Sequence, residues 1–253
     1  MFYRRLDDDR YTSADLTGTY DGYPIFIVAG NPIINTLPLA ALEASRLPTL
    51  ALNNVPYAYP NPTMWLTADR PACFGGHLYA RPDIIKFAMM EYRDEGVRTT
   101  GKPLKQHPLM FLYNVSTAFD LGQFFSDVPA FGWWKSVFPI SLQLCWRLGA
   151  RRVYLVGSSF NTRRATPYAW NVKLTRQQTV YSQMTYDEDL VRLKKLQPLF
   201  KENGFEVISC TPDSKVNEFM SSMDLSDALK EELARVPAVA PMSSLRHSSE
   251  TKQ

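Results

Sequence analysis

The stretch PIFIVAGNPIIN, residues 24–35, determines the fold that this sequence predicts. Its first half is a short apolar run, rich in β-branched residues and bounded by Gly22 and Gly30, which is typical of a buried strand. An apolar helical pattern follows from Leu37 to about Arg46, with Pro38 in its first turn. A strand, a turn and a helix in this order form the repeating unit of an α/β protein.

The same alternation continues along the chain. Further apolar runs predict strands at 47–54, 63–70, about 109–113, 151–157 and 204–210. Helical patterns lie at 82–95, about 136–149 and 175–203. We therefore expect an α/β, Rossmann-like fold with a mainly parallel sheet flanked by helices. In such a sheet, ligands bind at the carboxyl ends of the strands.

Shifts in composition divide the chain into four segments. We expect a polar N-terminal leader at 1–23, a Rossmann-like nucleotide-binding and catalytic domain at 24–220, a terminal helix at 221–236 and a disordered tail at 237–253. An aromatic block at 124–134 is interpreted as core or lid packing. Pro198 is expected to kink or shorten the last long helix.

Length and composition exclude several classes of protein. The 253 residues are 45% hydrophobic and 21% charged, enough for a sizeable core, and the net charge of +3 excludes a histone-like polycation. Three distant cysteines favour a reducing compartment. Neither a secretory signal nor an apolar run of roughly 20 residues is present, so we expect a cytoplasmic protein without a membrane segment.

Polar residues at the predicted strand ends are the first site candidates. Gly30 and Asn31 follow the first strand, Asn53 and Asn54 end the second, and Asp69 ends the third with Arg70 beside it. Asp69 is a candidate general base, a ligand for a sugar hydroxyl, or a turn cap paired with Arg70. The second candidate base is His77, although a lone loop histidine is more often structural. The sequence has no HxxxH, HExxH or strand-end DxD motif, so no metal site is expected.

Positive charge is concentrated in one interval. No acidic residue lies between Asp127 and Asp187. This interval holds eight cations: Lys135, Arg147, Arg151, Arg152, Arg163, Arg164, Lys173 and Arg176. The basic segment 135–176 therefore predicts an anion site, with Arg163 and Arg164 as its centre, for either a nucleotide diphosphate or nucleic acid. Arg70, beside Asp69, is a further candidate for binding phosphate or the acceptor. Arg151 and Arg152 precede a strand, and solvated surface is their alternative interpretation.

Four motifs resemble one family. PIFIVAGNPIIN, TLALNN, FPISLQLCWRLGARRVYLVGSSF and GFEVISCTPDSKVNEF are similar, in this order, to segments of the Rossmann-like sialyltransferases and the related phage and bacterial DUF115-like glycosyltransferases. Two departures lie at Asn31-Pro32-Ile33, where the family has a serine, and at Gly157-Ser158-Ser159-Phe160, where it has an aspartate. The family's catalytic histidine has no counterpart, because 158–246 contains no histidine.

The resemblance implies a metal-independent glycosyltransferase whose donor is a nucleotide sugar and which needs no other cofactor. Gly30 and Asn31 would lie against donor phosphate and ribose, and Asn53 and Asn54 near the base or sugar. Ser141, Gly157 and Ser158 would surround the nucleotide, and Tyr168 would point into the cleft near the position of the missing histidine. For a phage-encoded protein, the location would be the host cytoplasm.

Two hypotheses follow. In the first, the protein transfers a sugar to a hydroxyl acceptor, with a hydroxymethylated base in DNA as one acceptor, bound through segment 135–176, and a glycan or lipid as another. In the second, it is a non-catalytic Rossmann-like protein that binds nucleotide, nucleic acid or a protein partner. The missing serine, aspartate and histidine support the second hypothesis.

Overall fold

The computed structural model describes residues 2–5, 10–118, 120–162, 168–170 and 174–236. Three cations of the basic segment, Arg163, Arg164 and Lys173, lie outside the described residues, as does the predicted tail at 237–253. Within the described ranges, no helix is both long and apolar enough to span a bilayer.

One mixed sheet organises the described residues. Its eleven strands are β1 (Phe2–Arg5), β2 (Tyr11–Ala14), β3 (Ile25–Val28), β4 (Thr49–Leu52), β5 (Met64–Leu66), β6 (Ile85–Met89), β7 (Met110–Ser116), β8 (Ala130–Gly132), β9 (Arg152–Val156), β10 (Glu206–Ser209) and β11 (Ser221–Ser222). Their order is β11-β10-β9-β3-β4-β5-β6-β7-β1-β2, with β8 paired to β7. The strands from β3 onward pair in parallel, whereas β1 is antiparallel to both β2 and β7.

The strand order contains a reversal that positions the site. From β3 the chain builds the sheet in one direction through β7, then returns to add β9 and β10 on the other side of β3. Ile25 on β3 pairs with Val153 on β9, while Phe26 pairs with Thr49 on β4. In open α/β sheets, the crevice at such a reversal is the usual place for a ligand.

Five α-helices among the described residues cover the sheet on its two faces. They are α1 (Leu39–Ser45), α2 (Gly76–Ala80), α3 (Val137–Arg147), α4 (Arg176–Glu202) and α5 (Leu225–Arg235). Ile25 and Ile27 belong to one apolar cluster together with α3 and α4, whereas Phe26 and Val28 belong to another with α1, α2 and α5. Both faces are buried, which explains why β3 is apolar at every position.

These strands and helices confirm an α/β fold with a mostly parallel sheet, compatible with a Rossmann-like fold, but two segments differ from expectation. The segment predicted as a polar leader contains β1 and β2, and Phe2 is buried against the rings of Phe87 and Phe131. The predicted helix at 82–95 is wrong, because 85–89 forms β6, buried on both faces between β5 and β7.

The structure also tests the expectations for Pro198 and for the aromatic block at 124–134. Helix α4 continues through Pro198 to Glu202, so the proline does not shorten it. The aromatic block is mainly core, since Phe124 and Phe131 are buried, but the half-buried Trp133 reaches the pocket described below.

Candidate functional site

A pocket of about 410 Å³ opens at the carboxyl ends of β3, β4, β5 and β9. The first turn of α3 and the first half of α4 form its other walls. Eight of the predicted site residues line it: Gly30, Asn31, Asn53, Asn54, Asp69, Gly157, Ser158 and Tyr168. The carboxyl ends of the parallel strands meet at the reversal of strand order, and most of the predicted site residues therefore lie in one crevice.

Asn31 ties the loop after β3 to the loop after β9. Its Oδ1 accepts a hydrogen bond from the Ile33 N–H at 3.0 Å, and its Nδ2 donates to Oγ of Ser159. Its backbone N–H donates to the carbonyl of Gly157 at 3.1 Å. Both polar ends of the Asn31 side chain are engaged, so its observed role is to cap the turn and fix the crevice.

Aromatic rings cover Gly30. The rings of Tyr168 and Trp170 stack with their centroids 5.0 Å apart and their planes 7° from parallel. A Cβ added to Gly30 would lie 2.4 Å from Cη2 of Trp170, and the Gly30 carbonyl accepts a hydrogen bond from the Ala169 N–H at 2.8 Å. The ring of Trp170 therefore occupies the close approach that the sequence assigned to a donor phosphate.

Gly157 allows the two loops to meet. Its φ is +73°, and an added Cβ would lie 2.5 Å from the carbonyl oxygen of Ala29 and 2.2 Å from Cγ2 of Ile34. A larger residue at this position would have both backbone strain and a clash. Ser158 follows directly and is buried, at 5% exposure.

Asn53 is held in place through its backbone. It adopts a left-handed φ of 50°, which asparagine tolerates better than most residues. Its N–H donates to the Leu66 carbonyl at 3.0 Å, and its carbonyl accepts from Nε1 of Trp65 at 2.7 Å. Both groups belong to β5, so the neighbouring strand fixes the direction in which the Asn53 side chain leaves the backbone.

Asp69 is an acid lining the pocket, two residues beyond Thr67. Its N–H donates to Oγ1 of Thr67 at 3.1 Å. The residue as a whole is exposed, but the surrounding protein removes part of the hydration of its carboxyl group and raises its pKa. A carboxylate with a raised pKa in a crevice has the properties of a general base.

Three predicted site residues lie away from the pocket. Ser141 is fully buried in α3, where its hydroxyl donates to the Phe138 carbonyl at 2.6 Å. His77 is exposed on α2 and packs edge-on against Tyr57. Arg70 points to Glu95, 3.8 Å away, rather than to an anion site. Each is close in sequence to a pocket segment, but the local backbone turns it elsewhere.

The described cations of the basic segment do not form one anion site. Arg147 donates to the carbonyls of Val128 and Ala130. The guanidinium carbon of Arg151 lies 3.9 Å from the ring centroid of Trp146. Arg152 pairs with Glu206, Glu231 and Glu232 at the amino end of β9, the opposite end of the sheet from the pocket.

Lys135 is the cation of this segment that lines the pocket, among those described. It has a left-handed φ of 62° and directly precedes Ser136, whose Oγ accepts from the Phe138 N–H at 3.2 Å and caps α3. The first turn of α3 therefore faces the pocket with a lysine beside it, an arrangement that favours negative charge.

The sequence did not assign the remaining aromatic walls of the pocket to the site, although Trp133 belongs to the block interpreted as core or lid packing. Trp133 and Trp170 line the pocket, as do Tyr181 and Tyr186 of α4. The sequence shows that aromatic residues are frequent in these segments. Their position in the pocket, however, depends on contacts between segments that are far apart in the chain. The described residues contain no group of three or more histidine, cysteine or acidic side chains placed to hold a metal ion.

Comparisons with known proteins identify no relative of this chain. No family model matches it, and no match was found among the curated proteins or the solved structures. The similarity to Rossmann-like sialyltransferases and DUF115-like glycosyltransferases therefore stays a prediction from the four motifs quoted above.

Proposed function

We propose that this protein binds a nucleotide sugar in the pocket at the reversal of strand order and transfers the sugar to a hydroxyl acceptor. One observation carries the proposal: Asp69, a carboxyl group with a raised pKa, shares the pocket with amide, hydroxyl and aromatic side chains at the carboxyl ends of parallel strands. Carbohydrate and nucleoside ligands make hydrogen bonds and ring contacts with such side chains.

In the proposed reaction, each of the described charged residues that line the pocket, Asp69 and Lys135, has a role. The acceptor oxygen forms a bond to the anomeric carbon of the sugar, while Asp69 takes the acceptor's proton. The bond between the anomeric carbon and the phosphate oxygen breaks, and the nucleotide leaves with the electron pair. Lys135 and the first turn of α3 are placed to stabilise the charge on the departing phosphate.

The acceptor is a hydroxyl compound, and a small molecule or a glycan is favoured over DNA. The DNA hypothesis is based on the concentration of cations in segment 135–176. Arg147 and Arg152 are held by carbonyls and carboxylates of the protein itself, which leaves less charge for phosphates of a duplex. A hydroxymethylated base in DNA is accordingly the second acceptor to assay.

A thermal-shift panel tests the donor class. UDP-, GDP-, ADP-, CMP- and dTDP-sugars and the corresponding free nucleotides are each added to the full chain. At least one should raise the melting temperature, since a ligand that binds only the native state stabilises it. A flat response to every compound would contradict the proposal, whereas binding without turnover against any acceptor would support the non-catalytic hypothesis.

Replacement of Asp69 by asparagine tests the base. Asp69→Asn should lower kcat by about 10²–10⁴-fold, the usual contribution of a positioned base, with little change in nucleotide affinity. Since burial raises the pKa of Asp69, the acidic limb of the wild-type rate profile should lie above pH 3.8, the ordinary value of this group. Asp21→Asn, at an exposed aspartate outside the pocket lining, is the matched control. Equal turnover by wild type and Asp69→Asn would remove Asp69 from the mechanism.

A further inference from the structure

Two side chains of the pocket carry buried polar atoms without a hydrogen-bond partner among the described residues. These atoms are Oδ1 of Asn53 and Oγ of Ser158. A buried polar atom left unpaired costs roughly 1–3 kcal/mol, so such atoms in a native protein call for an explanation. Both residues line the same pocket, at the ends of the two strands that flank β3.

Hydrogen bonds hold the backbones of both residues, so local flexibility does not explain the unpaired side-chain oxygens. The Ser158 N–H donates to Oγ1 of Thr211 at 3.0 Å, and its carbonyl accepts from Oγ of Ser214 at 2.6 Å. Asn53 is held in the corresponding way by β5, as described above. In each case a neighbouring loop or strand satisfies the backbone and leaves the side-chain oxygen unused.

The chemistry of the two atoms indicates what would pair with them. An amide oxygen accepts but does not donate, so Oδ1 of Asn53 needs a donor and would repel a phosphate oxygen. A serine hydroxyl both donates and accepts, as a sugar hydroxyl does. Adjacent strands lie about 4.8 Å apart, so oxygens on either side of β3 are separated by roughly 10 Å, a span that a hydroxylated ring with its substituents can bridge.

We propose that Oδ1 of Asn53 and Oγ of Ser158 are the hydrogen-bond partners of hydroxyl groups on a sugar ring bound in this pocket. The assignment rests on the proposed function and sharpens it, because it places the sugar between β4 and β9 and leaves the phosphate to Lys135 and α3. The sugar is either the transferred group or the ribose of the nucleotide, and binding measurements distinguish the two.

Two variants remove the unpaired atoms, and one control removes a paired hydroxyl. Ser158→Ala deletes Oγ, and Asn53→Gly deletes the amide at a backbone conformation that glycine accepts. Thr49→Val is the control: Thr49 is buried at the opposite end of β4, where its Oγ1 accepts from the Thr63 N–H at 2.9 Å. Ser158→Ala should leave the melting temperature of the free protein unchanged or higher, whereas Thr49→Val should lower it.

Affinity for the nucleotide sugar with the largest thermal shift is then measured by calorimetry. Each pocket variant should bind it at least tenfold more weakly, while Thr49→Val should bind it as wild type does. If the free nucleotide binds the variants normally, the hydroxyls belong to the transferred sugar. If the free nucleotide also weakens but its 2′,3′-dideoxy analogue binds wild type and variants equally, the hydroxyls belong to the ribose.

Other results would overturn the assignment. These are wild-type affinity in both pocket variants, a fall in melting temperature of Ser158→Ala as large as that of Thr49→Val, or weaker binding of the dideoxy analogue by the variants. If no nucleotide binds the wild type, the proposed function fails, and methyl glycosides of glucose, galactose and mannose are tested by saturation-transfer NMR. Binding that both variants abolish would keep the assignment, and no binding would end it.

Discussion

Lys86 is a cation with no access to solvent, at the amino end of β6. Its Nζ donates to the carbonyls of Arg81, Ile84 and Pro108, the last at 2.7 Å, and burial lowers its pKa. The three acceptors match the three N–H bonds of an ammonium group. Lys86 therefore joins the segment 81–84, which precedes β6, to Pro108, which precedes β7.

Lys86→Met should lower the free energy of unfolding by several kcal/mol. The methionine fills much of the space, but the three carbonyls lose their donor, at about 1–3 kcal/mol for each group that stays buried and unpaired. Urea denaturation measures the change, with Lys201→Met at an exposed position of α4 as the control. A change within about 0.5 kcal/mol for both variants would contradict a structural role for the buried ammonium.

At the same scale, the sequence predicts some site residues well and others poorly. Asn53 and Asp69 follow recognisable parallel strands, and that placement alone brings them to the pocket. Ser141 and His77 have suitable chemistry, but the direction of a helical side chain depends on which face packs against the sheet. Lys135 reaches the pocket because its backbone is left-handed, and no local sequence signal indicates that conformation.

Among the helices, α4 contains an acid that is fully buried. Asp189 lies at 0% exposure with Oδ1 3.5 Å from Nη1 of Arg192, and Glu188 is next to it. Loss of hydration, only partly offset by the Ser136 hydroxyl and by Arg192, raises the pKa of Asp189 to about 7 from 3.8. The folded protein therefore holds this proton over a pH range in which the unfolded chain has released it.

Stability should consequently fall as the pH rises from about 4 to about 7, and level off above that range. The native state binds more protons than the unfolded state in this window, so each rise in pH favours unfolding, by about 1.4 kcal/mol for each unit of raised pKa. Asp189→Asn should lack this slope, whereas Glu202→Gln, at an exposed position of the same helix, should retain it. Parallel pH profiles for Asp189→Asn and wild type would contradict the prediction.

Elements differ in how far the sequence determines them. The apolar runs of β3 and β9 are short, β-branched and bounded by glycine, so their pattern has one interpretation. The run that forms β6 continues into a polar stretch and resembles a helix, and its pairing with β5 and β7 decides the outcome. Strand β1 depends on contacts with residues far along the chain, which local patterns do not record.

For the whole molecule, the first strands complete one side of the sheet. Phe2 is 4% exposed, and β1 covers the edge of β7 through the pairs Phe2 with Tyr113 and Tyr3 with Leu112. An uncovered strand edge next to apolar rings favours association between chains. The N-terminal residues therefore contribute to the stability of the single sheet.

Phe2→Ala should lower the free energy of unfolding by about 3–5 kcal/mol, the usual loss for a buried phenylalanine. The rings of Phe87 and Phe131 would lose their neighbour, so dye binding to apolar surface should also rise. Ser13→Ala, at an exposed position on β2, should change neither quantity. If Phe2→Ala unfolds at the wild-type urea concentration, β1 does not contribute to the core as described.

The pairing of β3 with β9 also bears on how the protein is made. Strand β3 leaves the ribosome before its partner β9, which is synthesised only after β4 to β8 and α3. Contacts between such distant segments slow folding, because a long loop must close before they form. A chain interrupted before β9 would keep β3 as an open edge with apolar faces, prone to aggregate, and its crevice would have only one wall.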